Sequence, residues 1–85
     1  MFLIAYDISD DKTRAKAAAV IEQYAARLQK SVWLCPQPAW KMRQMLDRLE
    51  RLDLGGGVLD VWEVGGLSAR MGDMPLPELP DCHVA

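Results

Sequence analysis

Apolar residues open the chain as one block, and Phe2-Leu3-Ile4-Ala5 has the continuous hydrophobic character of a buried strand, read here over residues 2–8. The pattern turns polar at Ser9-Asp10-Asp11-Lys12. Either Ser9 or Asp10 suits a helix N-cap, because its side-chain oxygen accepts from the free N–H groups of a first turn. A helix is expected from about Asp11 to Leu28. Ala17, Ile21, Tyr24 and Leu28 fall on one stripe, and Lys12, Lys16, Gln23 and Arg27 on another face. Residues 29–35 read as a strand, stopped by Pro36-Gln37-Pro38 because proline gives no donor to a sheet ladder. The clearest pattern follows at 39–52, where Met42, Met45, Leu46, Leu49 and Leu52 form an apolar stripe. The methionines there read as core fillers. Arg43–Asp47 and Asp47–Arg51 are i,i+4 pairs on the opposite side, and Trp40 is expected to pack at the helix start. Gly55-Gly56-Gly57 ends that helix, since glycine accepts a left-handed stop. Residues 58–64 read as a further strand, broken by Gly65-Gly66.

The order is strand, helix, strand, helix, strand. One more short strand between the helices would make this an α+β, ferredoxin-like β-α-β-β-α-β sandwich. There is little room for that strand between Leu34 and Ala39, so it is expected as a continuation of the 29–35 strand past a bend. The helices would cover one face of the sheet and leave the other apolar and bare, which favours a dimer that stacks two sheets. Size points the same way. The chain has 85 residues, 51% of them hydrophobic, and a domain this small hides only about 60–65% of the surface its unfolded form exposes. Residues 1–71 are expected to form the domain. Residues 72–85, with Pro75, Pro77 and Pro80, form a tail that would lie on another surface. A short strand near Leu67–Met71 or at the extreme C-terminus is also expected.

No apolar run reaches membrane length and no signal peptide is visible, so a cytoplasmic protein is expected. Cys35, Cys82 and His83 do not make a zinc pattern. A Cys35–Cys82 disulfide is conceivable, but cytosolic thiols are normally reduced, and Cys35 reads as a small buried residue. The net charge of −2 conceals an asymmetry. Residues 12–51 hold nine of the ten Lys/Arg against three acids, while the remainder holds one base against nine acids. A basic middle between acidic ends keeps a nucleic-acid partner open despite the acidic total.

The candidate chemistry lies where the first strand meets the first helix. Asp7 ends an apolar strand beside an aromatic. A carboxylate there can hold a hard metal ion, or simply hydrogen-bond the turn. Arg14, one turn into the helix, can reach back to the same corner. Arg14 and Arg27 suit bidentate contacts to phosphate oxygens, and Lys12 and Lys16 offer further positive charge. Ser31 reads as a strand hydroxyl, since no His or Lys is placed to activate it. His83 is poorly placed for a general base.

Two linked motifs, Tyr6-Asp7-Ile8-Ser9-Asp10-Asp11-Lys12-x-Arg14 and Tyr24-x-x-Arg27-x-Gln29-x-Ser31-Val32-Trp33, resemble the small CRISPR-associated endoribonuclease family, the dimeric partner of the spacer integrase in CRISPR adaptation. The Pro75-to-Glu78 stretch also fits. The resemblance implies a ferredoxin-like fold and a homodimer in which the C-terminal strand of each protomer extends its neighbour's sheet. It implies a divalent ion, Mg2+ or another such as Mn2+, held between protomers by Asp7 as the metal-binding catalytic residue. Tyr6, Arg14, Arg27, Ser31 and Trp33 would support that site or contact nucleic acid. The implied activity is phosphodiester hydrolysis in single-stranded RNA or double-stranded DNA. The alternative is a non-catalytic adaptor that binds duplex DNA and bridges integrase subunits, with the tail as a docking strand. Ala25, Leu28, Trp33 and Leu34 depart from the family pattern, which has glycine, valine, phenylalanine and glutamate there.

Overall fold

The computed structural model describes residues 1–66 and 68–72. Its elements are β1 (Phe2–Asp7), α1 (Asp11–Ile21), β2 (Ala26–Gln29), β3 (Val32–Cys35), α2 (Ala39–Glu50) and β4 (Val58–Glu63). The strands form one sheet in the order β2-β3-β1-β4, with antiparallel neighbours throughout. This is the β-α-β-β-α-β sandwich that the hydrophobic pattern implied.

Residue alternation along β1 divides the sheet into two faces. Ile4 and Tyr6 turn toward the helices and are buried with Ile21, Trp33, Cys35, Met42, Met45 and Leu49. Leu3, Ala5 and Asp7 turn to the other face. There Ala5 lies opposite Asp60, Asp7 opposite Val58, and Leu3 opposite Trp62. Helix α2 buries Met42, Met45 and Leu49, as its stripe required, with Leu46 and Leu52 partly buried against the same core. Arg43 and Asp47 pair at 3.5 Å. Trp40 does not pack at the helix start. It is 48% exposed, with the Lys41 ammonium 5.9 Å from its ring centre.

The extra strand is not where it was expected. Helix α1 stops at Ile21, and Gln23 and Tyr24 donate to the carbonyls of Val20 and Ile21, a tightened last turn. The chain then enters β2, which pairs with β3 across a two-residue turn at Lys30-Ser31. Arg27 and Leu28 are therefore strand residues, and the buried stripe of α1 is Ala17, Val20 and Ile21. The cause lies in the last residues of the expected helix. Ala26 and Leu28 alternate with Arg27 and Gln29, and burying the first pair while exposing the second satisfies a sheet.

The second face is not uniformly bare either. Leu28 and Leu34 are buried, and Leu3, Leu28 and Val32 line a hollow with Ala69, Arg70 and Met71. One guanidinium nitrogen of Arg70 donates to the Leu28 carbonyl at 3.0 Å. The chain that leaves β4 thus crosses back over the β2–β3 half of its own sheet. Among the described residues nothing crosses the β1–β4 half, where Val58 is 56% and Trp62 48% exposed. The C-terminal exchanged strand and Cys82 lie outside the described residues. Cys35 is buried, its Sγ 3.5 Å from the Tyr24 carbonyl. No described helix is long and apolar enough to cross a membrane.

Candidate functional site

The corner between β1 and α1 is built from short-range bonds. Asp10 caps α1, its carboxylate accepting from the Thr13 backbone N–H and hydroxyl, each at 2.8 Å. These bonds, the backbone one foremost, hold the Asp10 carboxyl below its usual range. Arg14 does reach back. Its Nη1 donates to the Ile8 carbonyl at 2.9 Å and to that of Ser9 at 3.4 Å, while Nη2 pairs with Asp11. It pairs with Asp11 rather than Asp7, so most of its donors are already used in bracing the corner.

Beside this corner is a concavity of about 530 Å³ between α1 and the β2–β3 turn, lined by residues that include Tyr6, Asp7, Arg14, Arg27, Lys30 and Ser31. Arg27 enters it from β2, opposite Trp33 in the register, with its guanidinium carbon 4.5 Å from the indole centre. The Trp33 indole N–H donates to the Tyr6 hydroxyl at 3.4 Å. The Tyr6 backbone N–H donates to the Ser31 carbonyl at 3.1 Å, so β1 and the β2–β3 turn are tied at the floor of the site. Lys12 and Lys16 stand exposed on α1 and are not among the lining residues.

Asp7 is exposed at the end of β1 and lines two concavities. One is the basic hollow just described. The other is a smaller one of about 190 Å³ on the open sheet face, shared with Ala5, Tyr6, Val58 and Asp60. Asp7 therefore stands on a ridge between a groove lined by Asp11, Arg14, Arg27 and Lys30 and the half of the sheet that the described residues leave uncovered. The described residues contain no group of three His, Cys, Asp or Glu side chains able to hold a metal ion. A hard cation needs six or more oxygens, so one protomer offers at most part of such a site.

Two residues of this constellation escaped the reading of the sequence. Lys30 joins the concavity because the β2–β3 turn falls there, and Asp60 sits diagonally from Asp7 because β4 pairs with β1 in that register. Neither belongs to a local motif. The signal for both is long-range register.

Residues 1–55 match the family model described as CRISPR associated protein Cas2. The chain is 36% identical over 85 residues to the CRISPR-associated endonuclease Cas2 2 of Thermus thermophilus, covering 99% of this chain and 94% of the relative. The crystal structure of a hypothetical protein from Thermus thermophilus superposes with a TM-score of 0.79 at 37% identity, over 91% of this chain and 95% of that one. Streptococcus pyogenes Cas2, at 21% identity, shares the fold with a TM-score of 0.68 over 75% of this chain and 84% of its own. The strand-helix corner, the sheet order and these matches together place the chain in the CRISPR-associated Cas2 family.

Proposed function

We propose that this protein is a metal-dependent nuclease of CRISPR adaptation, acting as a homodimer on the phosphodiester bonds of single-stranded RNA or double-stranded DNA and partnering the spacer integrase. The single observation that carries the reading is the position of Asp7. Its carboxylate borders the cationic concavity on one side and the open half of the sheet on the other.

On this reading two protomers stack their β1–β4 halves across a two-fold axis, which brings two copies of Asp7 together. Val58 and Trp62 would supply the apolar contact, as exposed hydrophobic residues beside a bare sheet do. The paired carboxylates suit a hard divalent ion, Mg2+ or Mn2+, with water and substrate oxygens completing the ligand set. When bound, such an ion makes water a stronger acid and offsets charge that develops on the phosphoryl oxygens. The protein side chains hold the substrate. Arg27 and Lys30 offer positive charge to the phosphate backbone, and Tyr6 and Ser31 offer hydroxyls at the floor. No described His or Lys is hydrogen-bonded to Ser31, which is consistent with water rather than Ser31 as the attacking group.

The test compares wild type with Asp7→Ala. Labelled single-stranded RNA and duplex DNA are incubated with each protein, with magnesium or with chelator, and cutting and retention are both scored. Metal-dependent cutting by wild type alone supports the nuclease. Equal retention of duplex by both proteins with no cutting by either makes the chain a DNA-binding adaptor instead.

A further inference from the structure

Two side chains of the concavity, one cationic and one hydroxyl-bearing, meet on one aromatic ring. Trp33 is 3% exposed, lying opposite Ile4 on β1 and opposite Arg27 on β2. Its ring face carries the Arg27 guanidinium at 4.5 Å, and its ring edge donates to the Tyr6 hydroxyl at 3.4 Å. Two consequences follow from hydrogen-bond inventory. A phenolic oxygen that accepts from an indole N–H keeps its own proton to give. A guanidinium held over an indole face can still donate through its N–H groups, and among the described residues Arg27 makes no hydrogen bond that would use them. Arg14 differs, since its nitrogens are committed to the carbonyls of Ile8 and Ser9 and to Asp11.

We infer that Trp33 is a positioning residue, which presents the Arg27 guanidinium and the Tyr6 O–H together to one phosphodiester group in the concavity, and that Arg14 belongs to the scaffold of the corner and not to the phosphate contact. This rests on the proposed reading that the concavity takes nucleic acid. It separates two arginines that the sequence leaves on equal footing. It also gives the indole a role that phenylalanine at the same position cannot fill, because phenylalanine can stack on Arg27 but has no N–H for Tyr6.

The test is binding without cleavage. Labelled single-stranded RNA and duplex DNA are titrated by anisotropy in chelator, over a range of salt, with the melting temperature of every variant recorded alongside. Arg27→Ala is expected to weaken binding about tenfold and to lower the slope of log affinity against log salt by about one. Arg14→Ala is expected to lower the melting temperature but leave that slope unchanged. Tyr6→Phe and Trp33→Phe are each expected to weaken binding about threefold with the slope unchanged. The double variant Tyr6→Phe/Trp33→Phe is expected to bind like Tyr6→Phe alone, because the indole N–H acts through the hydroxyl. A Trp33→Phe protein that binds like wild type overturns the inference, as does an Arg14→Ala protein that loses as much slope as Arg27→Ala. Wild type that binds neither oligonucleotide overturns the underlying reading, and the inference with it.

Discussion

Between β2 and β3 the sheet is packed on both sides. Trp33 and Cys35 are buried toward the helices, and Leu28 and Leu34 are buried on the opposite side, where Arg70 ties the returning chain to the Leu28 carbonyl. Between β1 and β4 the described residues pack only the helix side, and Asp7, Val58, Asp60 and Trp62 are exposed on the other. Within the described residues the same sheet is thus closed along one half by its own chain and left open along the other. In a domain this small, exposed Val58 and Trp62 favour a covering surface, which on the proposed reading a second copy supplies. On the proposed dimer, the difference would mark where the fold ends and assembly begins, with Asp7 on the assembly side.

A charge placed in each half should break the comparison in opposite ways. Leu28→Asp puts an unpaired carboxylate into the closed half, at a site only 7% exposed. The expected cost is about 4 kcal/mol or more, enough to unfold a domain whose whole stability is on the order of 5–15 kcal/mol. Circular dichroism and thermal melting read it directly. A folded Leu28→Asp protein would mean that the returning chain does not seal that half. Trp62→Arg places its charge in the open half. There the protomer is expected to stay folded while sedimentation gives a monomer mass, and metal-dependent cleavage is expected to disappear with the dimer. A Trp62→Arg protein that remains dimeric would put the interface elsewhere.

A smaller effect sharpens the account of the closed half. Arg70→Ala removes the hydrogen bond to the Leu28 carbonyl and nothing in the open half. A loss of about 1 kcal/mol in denaturant unfolding is expected, with an unchanged dimer mass. If the mass changes instead, the returning segment belongs to the interface and the two halves are not independent.

The legibility of these features follows the range of the interactions behind them. Helix α2 could be read because Met42, Met45 and Leu49 repeat over about two turns with no competing alternation. The end of α1 could not, because Tyr24 and Leu28 continue the spacing of Ala17 and Ile21 while Ala26 and Leu28 also satisfy alternation. Over four residues the two periods agree, and only pairing with β3 decides between them. The same holds in the concavity. Asp7, Asp10 and Arg14 are near in sequence, and their shared corner was visible from capping and helix geometry. Arg27, Lys30 and Asp60 reach that neighbourhood through strand register, which a single sequence does not display. The matched motif did carry Arg27 and Trp33 to the site, but it did not say that one is stacked on the other.

The smallest expected effect concerns the corner itself and depends on pH. Asp10 has its carboxyl pKa lowered from 3.8 by bonds from the Thr13 N–H and hydroxyl, aided by Lys16 and Arg14. A carboxylate whose folded pKa lies below its unfolded one binds protons more weakly when folded. Its stabilisation is therefore fully present above the unfolded value and is lost as pH falls through the folded value. Asp10 is fully exposed, so the contribution is modest and screened by salt. Asp10→Asn keeps a side-chain oxygen for the cap but cannot titrate. Its melting temperature should differ little from wild type in strong acid, where the wild-type carboxyl is protonated, and fall slightly below it at neutral pH, where the ionised cap is the stronger acceptor. Because the Asp10 cap lies in neither half of the sheet's second face, the dimer mass should not follow this titration. Dissociation that tracked it would tie the cap to assembly, and the division between a self-sealed half and a partner-sealed half would then have to include α1.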